Sequence, residues 1–163
     1  MRLIRALALV IAGSFAGLAG AGLLLRRAFP SHGDADSDEV GLTAIHNGLE
    51  LTSRATAFRG GSMFTWFGGI AVDLRDATLA PDARLSLTTV FGGIDLQVPH
   101  GWRVESRIRA RPGGVAVDVA DADDRAPLLV LDGVVVFGGV AVGADVATVG
   151  NGGKAGWRLR PAR

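Results

Sequence analysis

Beyond residue 40, apolar side chains recur at every second position in a series of short runs. Two examples are Ile70, Val72, Leu74 and Ile94, Leu96, Val98. A period of two puts alternate side chains on opposite faces of a β-strand. No stretch beyond residue 40 has the i, i+3, i+4, i+7 spacing of an amphipathic helix. The pattern therefore predicts an all-β body of short strands.

Glycine pairs separate these runs at a regular interval. Three pairs follow a phenylalanine and one follows a proline, in the motifs Phe67-Gly68-Gly69, Phe91-Gly92-Gly93, Pro112-Gly113-Gly114 and Phe137-Gly138-Gly139. The first glycines of these motifs are 24, 21 and 25 residues apart. Asn47-Gly48 is a weaker copy before them, and Gly152-Gly153 is a candidate for a closing copy.

The repeat predicts a short right-handed β-solenoid of about five coils of roughly 20–25 residues, in which each coil stacks on the last. A β-sandwich is the alternative. In a solenoid, a glycine pair at each corner permits positive φ angles and close approach between neighbouring coils. We expect Phe67 and Phe91 to stack ring on ring, and Pro112 to interrupt the stack before Phe137.

The N-terminal region has a different pattern. Residues 6–25 form a run of twenty residues without a charge, and as a helix such a run is about 30 Å long, enough to cross a bilayer. We predict that residues 1–28 are an uncleaved single-pass anchor in the cell membrane, with the β domain on the outer face. A cleaved signal peptide is the alternative, because it also has a basic start, an apolar run and small residues. Gly13 and Gly17 form a GxxxG motif, which is either a helix-pairing surface or a product of the Gly/Ala-rich composition.

Residues 29–39 connect the two regions. Their sequence, FPSHGDADSDE, has almost no apolar side chains and four acids, which predicts an acidic flexible linker before a domain at residues 40–163. Asp34, Asp36 and Asp38 have the spacing of a calcium loop, but the glycine and the distal glutamate of an EF-hand are missing. We therefore expect no metal there.

Composition narrows the function classes. The 163 residues have room for one domain, and the absence of cysteine excludes disulfides, thiolate metal sites and cysteine nucleophiles. The net charge is +1, but residues 31–163 carry 13 Lys and Arg against 16 Asp and Glu. An acidic domain of this kind argues against nucleic-acid binding.

Catalytic motifs are missing from the sequence. There is no G-x-S-x-G elbow, no HExxH and no close histidine pair. Asp73, Asp95 and Asp118 follow glycine pairs, and a carbohydrate-cleaving β-solenoid would use carboxylates of this kind. Asp73 and Asp118 both lie four residues after the second glycine, which predicts equivalent outward positions. Outward charge on alternate strand positions is the ordinary basis of solubility, so we predict no enzymatic activity and no cofactor.

Two basic segments are candidates for contacts. Arg103, Arg107, Arg109 and Arg111 are all odd-numbered, so in a strand they share one face. That face could bind anionic lipids, cell-wall polyanions or an acidic partner, or it could simply be solvated. The C-terminal KAGWRLRPAR either caps the last coil through Trp157 and Leu159 or is free.

Two segments carry a resemblance to a known family. The first is TTVFGGIDLQVPHGWRV at residues 88–104, where a Val-Pro-x-Gly-Trp run containing Pro99, Gly101 and Trp102 follows the FGG and a strand. The second is LDGVVVFGGVAV at residues 131–142. At these residues the chain resembles the C-terminal domain of the LiaF-like family, the cell wall-active antibiotics response proteins of bacteria, which is related to the membrane-associated toastrack domains. The resemblance extends over residues 49–163.

The resemblance implies a compact β-helix-like domain that is tethered to a membrane and senses or restrains an envelope-stress pathway through a histidine kinase. LiaF-type proteins carry several membrane spans, whereas this sequence has one predicted span. We therefore expect a non-enzymatic, membrane-anchored module of envelope-stress regulation whose partner is a sensor histidine kinase or another membrane protein, with self-association as a further option. The alternatives are a self-assembling structural surface protein and a glycan-acting enzyme.

Overall fold

A computed structural model describes Leu24, Arg27 and residues 30–120 and 122–144 of the chain. The described residues from 30 onwards form an all-β, parallel solenoid of about four turns, which confirms the predicted fold class over the β-sandwich. Ten strands form two five-stranded sheets with every pairing parallel.

The odd-numbered strands form one sheet, the odd sheet, and the even-numbered strands form the other, the even sheet. The odd sheet contains β1 (Glu39–Ile45), β3 (Phe58–Trp66), β5 (Leu79–Val90), β7 (Arg103–Ala110) and β9 (Leu128–Val136). The even sheet contains β2 (Gly48–Thr52), β4 (Gly69–Asp73), β6 (Gly93–Gln97), β8 (Gly113–Asp118) and β10 (Gly138–Gly143). Each odd strand and the even strand that follows it form one coil.

The period-two pattern determines which side chains enter the core. In β4, Ile70 and Val72 are buried between the sheets, while Gly69, Ala71 and Asp73 face outward. The same alternation recurs in β6 and β10. The largest fully buried aliphatic side chains between the two sheets include Leu74, Leu85, Leu87, Leu96, Leu129 and Leu131. Burial of each such side chain stabilises the fold by about 1.5–3 kcal/mol relative to exposure.

The coils do not stack in chain order. The odd sheet has the order β1-β3-β5-β9-β7 and the even sheet has the order β2-β4-β6-β10-β8. The coil that comes last among the described residues, β9–β10, therefore lies between β5–β6 and β7–β8. The expectation that each coil stacks on the one before it is wrong for these two coils, and β7–β8 is the terminal layer of the described structure.

Two connections between coils produce this change in stacking order. Residues 98–102 lead from β6 past one coil position to β7, and residues 119–127, of which residue 121 lies outside the described part, lead back from β8 to β9. The first connection contains the Val-Pro-x-Gly-Trp run. The N–H of Trp102 donates to the carbonyl of Pro99 at 3.4 Å, Gly101 has a φ of 90°, and the indole of Trp102 is buried in the core. The run is thus a turn that is anchored by its tryptophan.

Residues 30–38 lie against the first coil. His32 forms an antiparallel bridge with Gly41 of β1, and the hydroxyl of Ser31 accepts a hydrogen bond from the N–H of Thr43 at 2.9 Å. Further along, the carbonyl of Ala35 accepts a hydrogen bond from the N–H of Arg54, which precedes β3. The carbonyl of Asp38 accepts one from the N–H of Arg59 in β3. The segment for which we predicted a flexible linker therefore covers the free edge of β1, as native proteins commonly protect such edges.

Among the residues that the structure describes, no helix is long and apolar enough to span a membrane. All of the predicted span at residues 6–25 except Leu24 lies outside the described residues, and so do Gly13 and Gly17.

Candidate functional site: the aromatic corner and the glycine groove

The phenylalanines of the FGG motifs form a continuous stack at one corner of the solenoid, between the odd and the even sheet. The ring centroids of Phe67 and Phe91 are 4.8 Å apart, and so are those of Phe91 and Phe137. His46 of the first coil extends the stack, with its ring 5.5 Å from that of Phe67. The spacing of 4.8 Å equals the distance between hydrogen-bonded strands, so the backbone pairing sets the ring pairing.

The expected contact between Phe67 and Phe91 is present, but the expected interruption by Pro112 is wrong. Because β9–β10 lies directly on β5–β6, Phe137 follows Phe91 without a gap. Pro112 lies in the terminal coil, where its carbonyl accepts a hydrogen bond from the N–H of Phe137 at 2.6 Å.

Proline suits only this terminal position. The N–H groups of His46, Phe67 and Phe91 each donate to a carbonyl of the next coil. Pro112 has no N–H to donate, and within the described structure no further coil lies beyond it to accept one. Proline in sheets is confined to edges for this reason.

The positive φ angles belong to the residues before the glycine pairs, which corrects the expectation for the glycines themselves. His46 has a φ of 54° and Phe67, Phe91 and Phe137 each have a φ of 50°. The first glycine of each pair is required for space: a Cβ on Gly92 would overlap the carbonyl oxygen of Gly68. The second glycine is not constrained in this way, because a Cβ on Gly93 would lie 3.8 Å from its nearest neighbour.

The stack belongs to a larger exposed apolar surface. Phe67, Phe91 and Phe137 are 41%, 45% and 56% exposed, and Val134 on the outer face of the odd sheet is 43% exposed. The strand register places Trp66, Val90 and Val136 in one outward row and Phe64, Thr88 and Val134 in the next. We call the surface formed by the following residues the aromatic corner: Trp66, Phe67, Val90, Phe91, Val134, Val136 and Phe137. Contiguous exposed apolar surface of this kind marks an interaction site.

The four arginines lie at the end of the same face. They occupy β7 and the residue after it, and their side chains share the outer face of the odd sheet, with Arg109 in register with Val134. Arg103 pairs with Asp124 at 3.5 Å, and Arg107 pairs with Glu105 at 2.8 Å. The hydrogen bond from Arg107 lowers the pKa of Glu105 below its usual value.

Arg109 and Arg111 differ from the other two arginines. Within residues 30–120 and 122–144, neither forms an ion pair, and both are exposed. Within the described part of the chain, the aromatic corner therefore ends in two arginines that form no ion pair.

A second surface feature covers the outer face of the even sheet. A shallow, mainly apolar groove of about 690 Å³ crosses all five strands, and we call it the glycine groove. One row of it consists of Gly48, Gly69, Gly93, Gly139 and Gly114, and the next outward row consists of Glu50, Ala71, Asp95, Ala141 and Ala116. Its two carboxylates are Glu50 and Asp95, and Asp95 accepts a hydrogen bond from Gln97 Nε2 at 2.9 Å.

Sequence reasoning missed the glycine groove and Glu50. It treated both glycines of each pair as corner residues, whereas the second glycine lies within an even strand and faces outward. A signal was present, because glycine at the first outward position of five strands leaves a strip of backbone uncovered.

The three aspartates considered for catalysis are not brought together. Asp73 and Asp118 do occupy one outward row, as their spacing indicated, but Gln97 and Gly143 lie between them. Three strand spacings make the separation roughly 14 Å, which exceeds the approximately 5–10 Å between the carboxylates of glycosidases. Asp95 lies in the adjacent row.

Asp73 has a structural partner instead. Arg75 donates to its carboxylate from Nε at 2.8 Å, and this hydrogen bond lowers the pKa of Asp73. Burial of the carboxylate opposes that shift only in part.

The histidines are also dispersed. His32 lies beside Gly41, His46 lies on Phe67, and His100 is exposed in the turn after β6. Among the described residues, no group of three or more His, Cys, Asp or Glu side chains could hold a metal ion. The C-terminal KAGWRLRPAR, with Trp157 and Leu159, and the Gly152-Gly153 pair lie outside the described residues.

No protein family, no curated protein and no solved structure matches the chain.

Proposed function

We propose that this chain is a membrane-anchored, non-enzymatic module that acts by binding a membrane protein in the bacterial cell-envelope stress response. In this proposal residues 1–28 are the single-pass anchor, the β domain lies on the outer face of the cell membrane, and the solenoid is right-handed. The observation that carries the proposal is the glycine groove, an apolar surface that crosses the whole even sheet and is not occupied by large side chains.

The glycine groove suits a segment of another protein. Its glycine row leaves the backbone of five adjacent strands uncovered, so a partner chain can approach closely. Four strand spacings give the groove a length of about 19 Å, which is the length of about twelve residues of helix. Because Glu50 and Asp95 are the charged groups in its lining, the complementary segment is mainly apolar and carries a basic side chain.

The resemblance to the LiaF-like family supports the biological setting. It suggests a sensor histidine kinase as the partner and cell-wall antibiotics as the trigger. A self-assembling surface protein is the second candidate, and the same experiment separates the two.

Photo-crosslinking in living bacteria tests the proposal. A photoreactive residue at Ala71 in the glycine groove should capture a sensor kinase or another identified membrane protein, in a yield that changes with a cell-wall antibiotic. Ser86, exposed on the outer face of the odd sheet, is the matched control position and should not capture that protein. Gly93→Leu, which has room for its Cβ, should fill the groove and abolish capture from Ala71.

Capture of only this chain from Ala71 would overturn the regulatory role in favour of self-assembly. Equal capture of the same protein from Ala71 and Ser86 would contradict the groove as the binding surface.

A further inference from the structure

The domain begins close to the predicted membrane span. Ser31 and His32 are already hydrogen-bonded to β1, so the uncharged run that ends at Leu25 is separated from the folded domain by only five residues. Six Cα-to-Cα steps, from Leu25 to Ser31, span at most about 22 Å when the chain is fully extended. A domain held on so short a connection cannot move far from the bilayer in which the span resides.

The direction of residues 30–32 along β1 points to one corner of the domain. The bridge between His32 and Gly41 is antiparallel, and Ser31 contacts Thr43. Followed backwards from His32, the chain therefore runs along β1 towards Ile45. The next residue after Ile45 is His46, the first member of the aromatic stack. The N-terminal end of the described segment, Pro30, thus lies towards the end of β1 that leads into the aromatic corner.

The chemistry of the aromatic corner fits a membrane interface. Phe67, Phe91 and Phe137 expose about half of their surface, and Trp66 lies beside them at the end of β3. Aromatic side chains are favoured at the headgroup level of bilayers. Arg109 and Arg111 adjoin the corner without an ion pair among the described residues, and arginines near a bilayer surface are attracted to anionic headgroups.

The rest of the described surface is less suited to an anionic bilayer. Residues 31–144 carry nine Arg against fifteen Asp and Glu, so an anionic membrane repels most of the faces that these residues form. The aromatic corner differs from this acidic surface because Arg109 and Arg111 adjoin it.

We propose that the aromatic corner rests in the headgroup region of the same anionic bilayer that the N-terminal segment crosses, with Arg109 and Arg111 on lipid phosphates. This inference depends on the membrane anchoring in the proposed function. It gives the domain a fixed orientation in which the glycine groove faces sideways, open to a neighbouring membrane protein.

The test uses the full chain reconstituted into vesicles of phosphatidylcholine and phosphatidylglycerol. The chain has no cysteine, so Val134→Cys places a single environment-sensitive fluorophore in the aromatic corner. Asp118→Cys is the matched control, because it is exposed at the far end of β8. Lipids with a spin label near the headgroup should quench the Val134→Cys fluorophore several-fold more strongly than the Asp118→Cys fluorophore.

A second comparison tests the two arginines without disturbing the core. Arg109→Glu with Arg111→Glu should reduce quenching at Val134→Cys in anionic vesicles and leave it unchanged in pure phosphatidylcholine. Arg84→Glu is the control, because Arg84 is also exposed on the odd sheet but pairs with Asp132.

The outcomes are distinguishable. Equal quenching at the two labelled positions, in a chain that floats with the vesicles, would overturn corner docking and leave the anchor intact. Failure of the chain to float would overturn both the anchor and this inference. Since the vesicles contain no other protein, strong quenching at Val134→Cys would not arise from a protein partner.

Discussion

Phe91 and Phe137 stack with their ring centroids 4.8 Å apart and their planes within 3° of parallel, although the whole β7–β8 coil separates them in the chain. The contact exists because β9–β10 is inserted between β5–β6 and β7–β8. The insertion gathers the three FGG coils into consecutive layers and leaves the proline-containing coil at the end. The exposed aromatic corner is a direct consequence of this order.

The left-handed backbone at Phe91 leads to a first prediction. Phe91→Asn and Phe91→Val both remove the two ring contacts, each worth about 0.5–1.5 kcal/mol. Asparagine tolerates a φ near 50°, whereas a β-branched residue there is strongly disfavoured. We expect Phe91→Val to lower the free energy of unfolding more than Phe91→Asn, as measured by denaturant titration of the full chain in detergent. A valine variant as stable as the asparagine variant would contradict the backbone conformation at the corner.

The glycine pair at residues 92 and 93 allows a matched comparison. Gly92→Ala should destabilise the fold by about 1–3 kcal/mol, because the new Cβ overlaps the carbonyl of Gly68 in the neighbouring coil. Gly93→Ala should be tolerated, since its Cβ points into the glycine groove. Thermal unfolding of the two variants checks this prediction. Similar losses at both positions would mean that the second glycine also has a structural role.

A buried hydroxyl offers a stabilising substitution. Thr89 is fully buried, and its Oγ1 has no hydrogen-bond partner among the described residues. Val135 occupies the equivalent position in the adjacent coil. Valine has nearly the shape of threonine, so Thr89→Val should remove the desolvation cost and stabilise the protein by about 1 kcal/mol. A clear loss of stability in a chemical denaturation experiment would show that the hydroxyl is satisfied.

The coil order predicts that substitutions at two equivalent positions change the stability by very different amounts. Phe137→Pro removes the N–H that donates to Pro112 and is incompatible with a φ of 50°, so it should cost about 3 kcal/mol or more. Pro112→Ala, in the terminal coil, removes no interstrand donor and should change stability little. A large loss from Pro112→Ala with a small loss from Phe137→Pro would support chain-order stacking instead. Circular dichroism melting curves of both variants distinguish these results.

The sequence contains enough information to predict the layers of the fold but not their order. The period-two runs and the glycine pairs correctly locate the five even strands, because burial on one face of a strand leaves that alternation in any coil. The exchange of the last two coils leaves the alternation unchanged, since a strand meets a similar apolar neighbour in either order. Pro112 was the available signal: a residue without an N–H in a repeat whose other members donate suggests a terminal coil.

The candidate surfaces are harder to predict from the sequence than the strands. Whether the φ of an FGG motif is positive at its phenylalanine or at its glycine depends on coil-to-coil contacts that no single repeat contains. Gly133 was overlooked for the same reason: its φ is 143° and a Cβ there would collide with Leu87 of the neighbouring strand. The lack of an ion pair between Arg109 or Arg111 and any described residue also becomes apparent only when the ion pairs of Arg103 and Arg107 are known.

The most direct test of the functional account is photo-crosslinking of the full chain in living bacteria from three positions, Val134, Ala71 and Asp118. The account predicts phospholipid adducts from Val134 in the aromatic corner, an identified membrane protein from Ala71 in the glycine groove, and neither product from Asp118. The same products from all three positions, or no lipid from Val134 and no protein from Ala71, would contradict it.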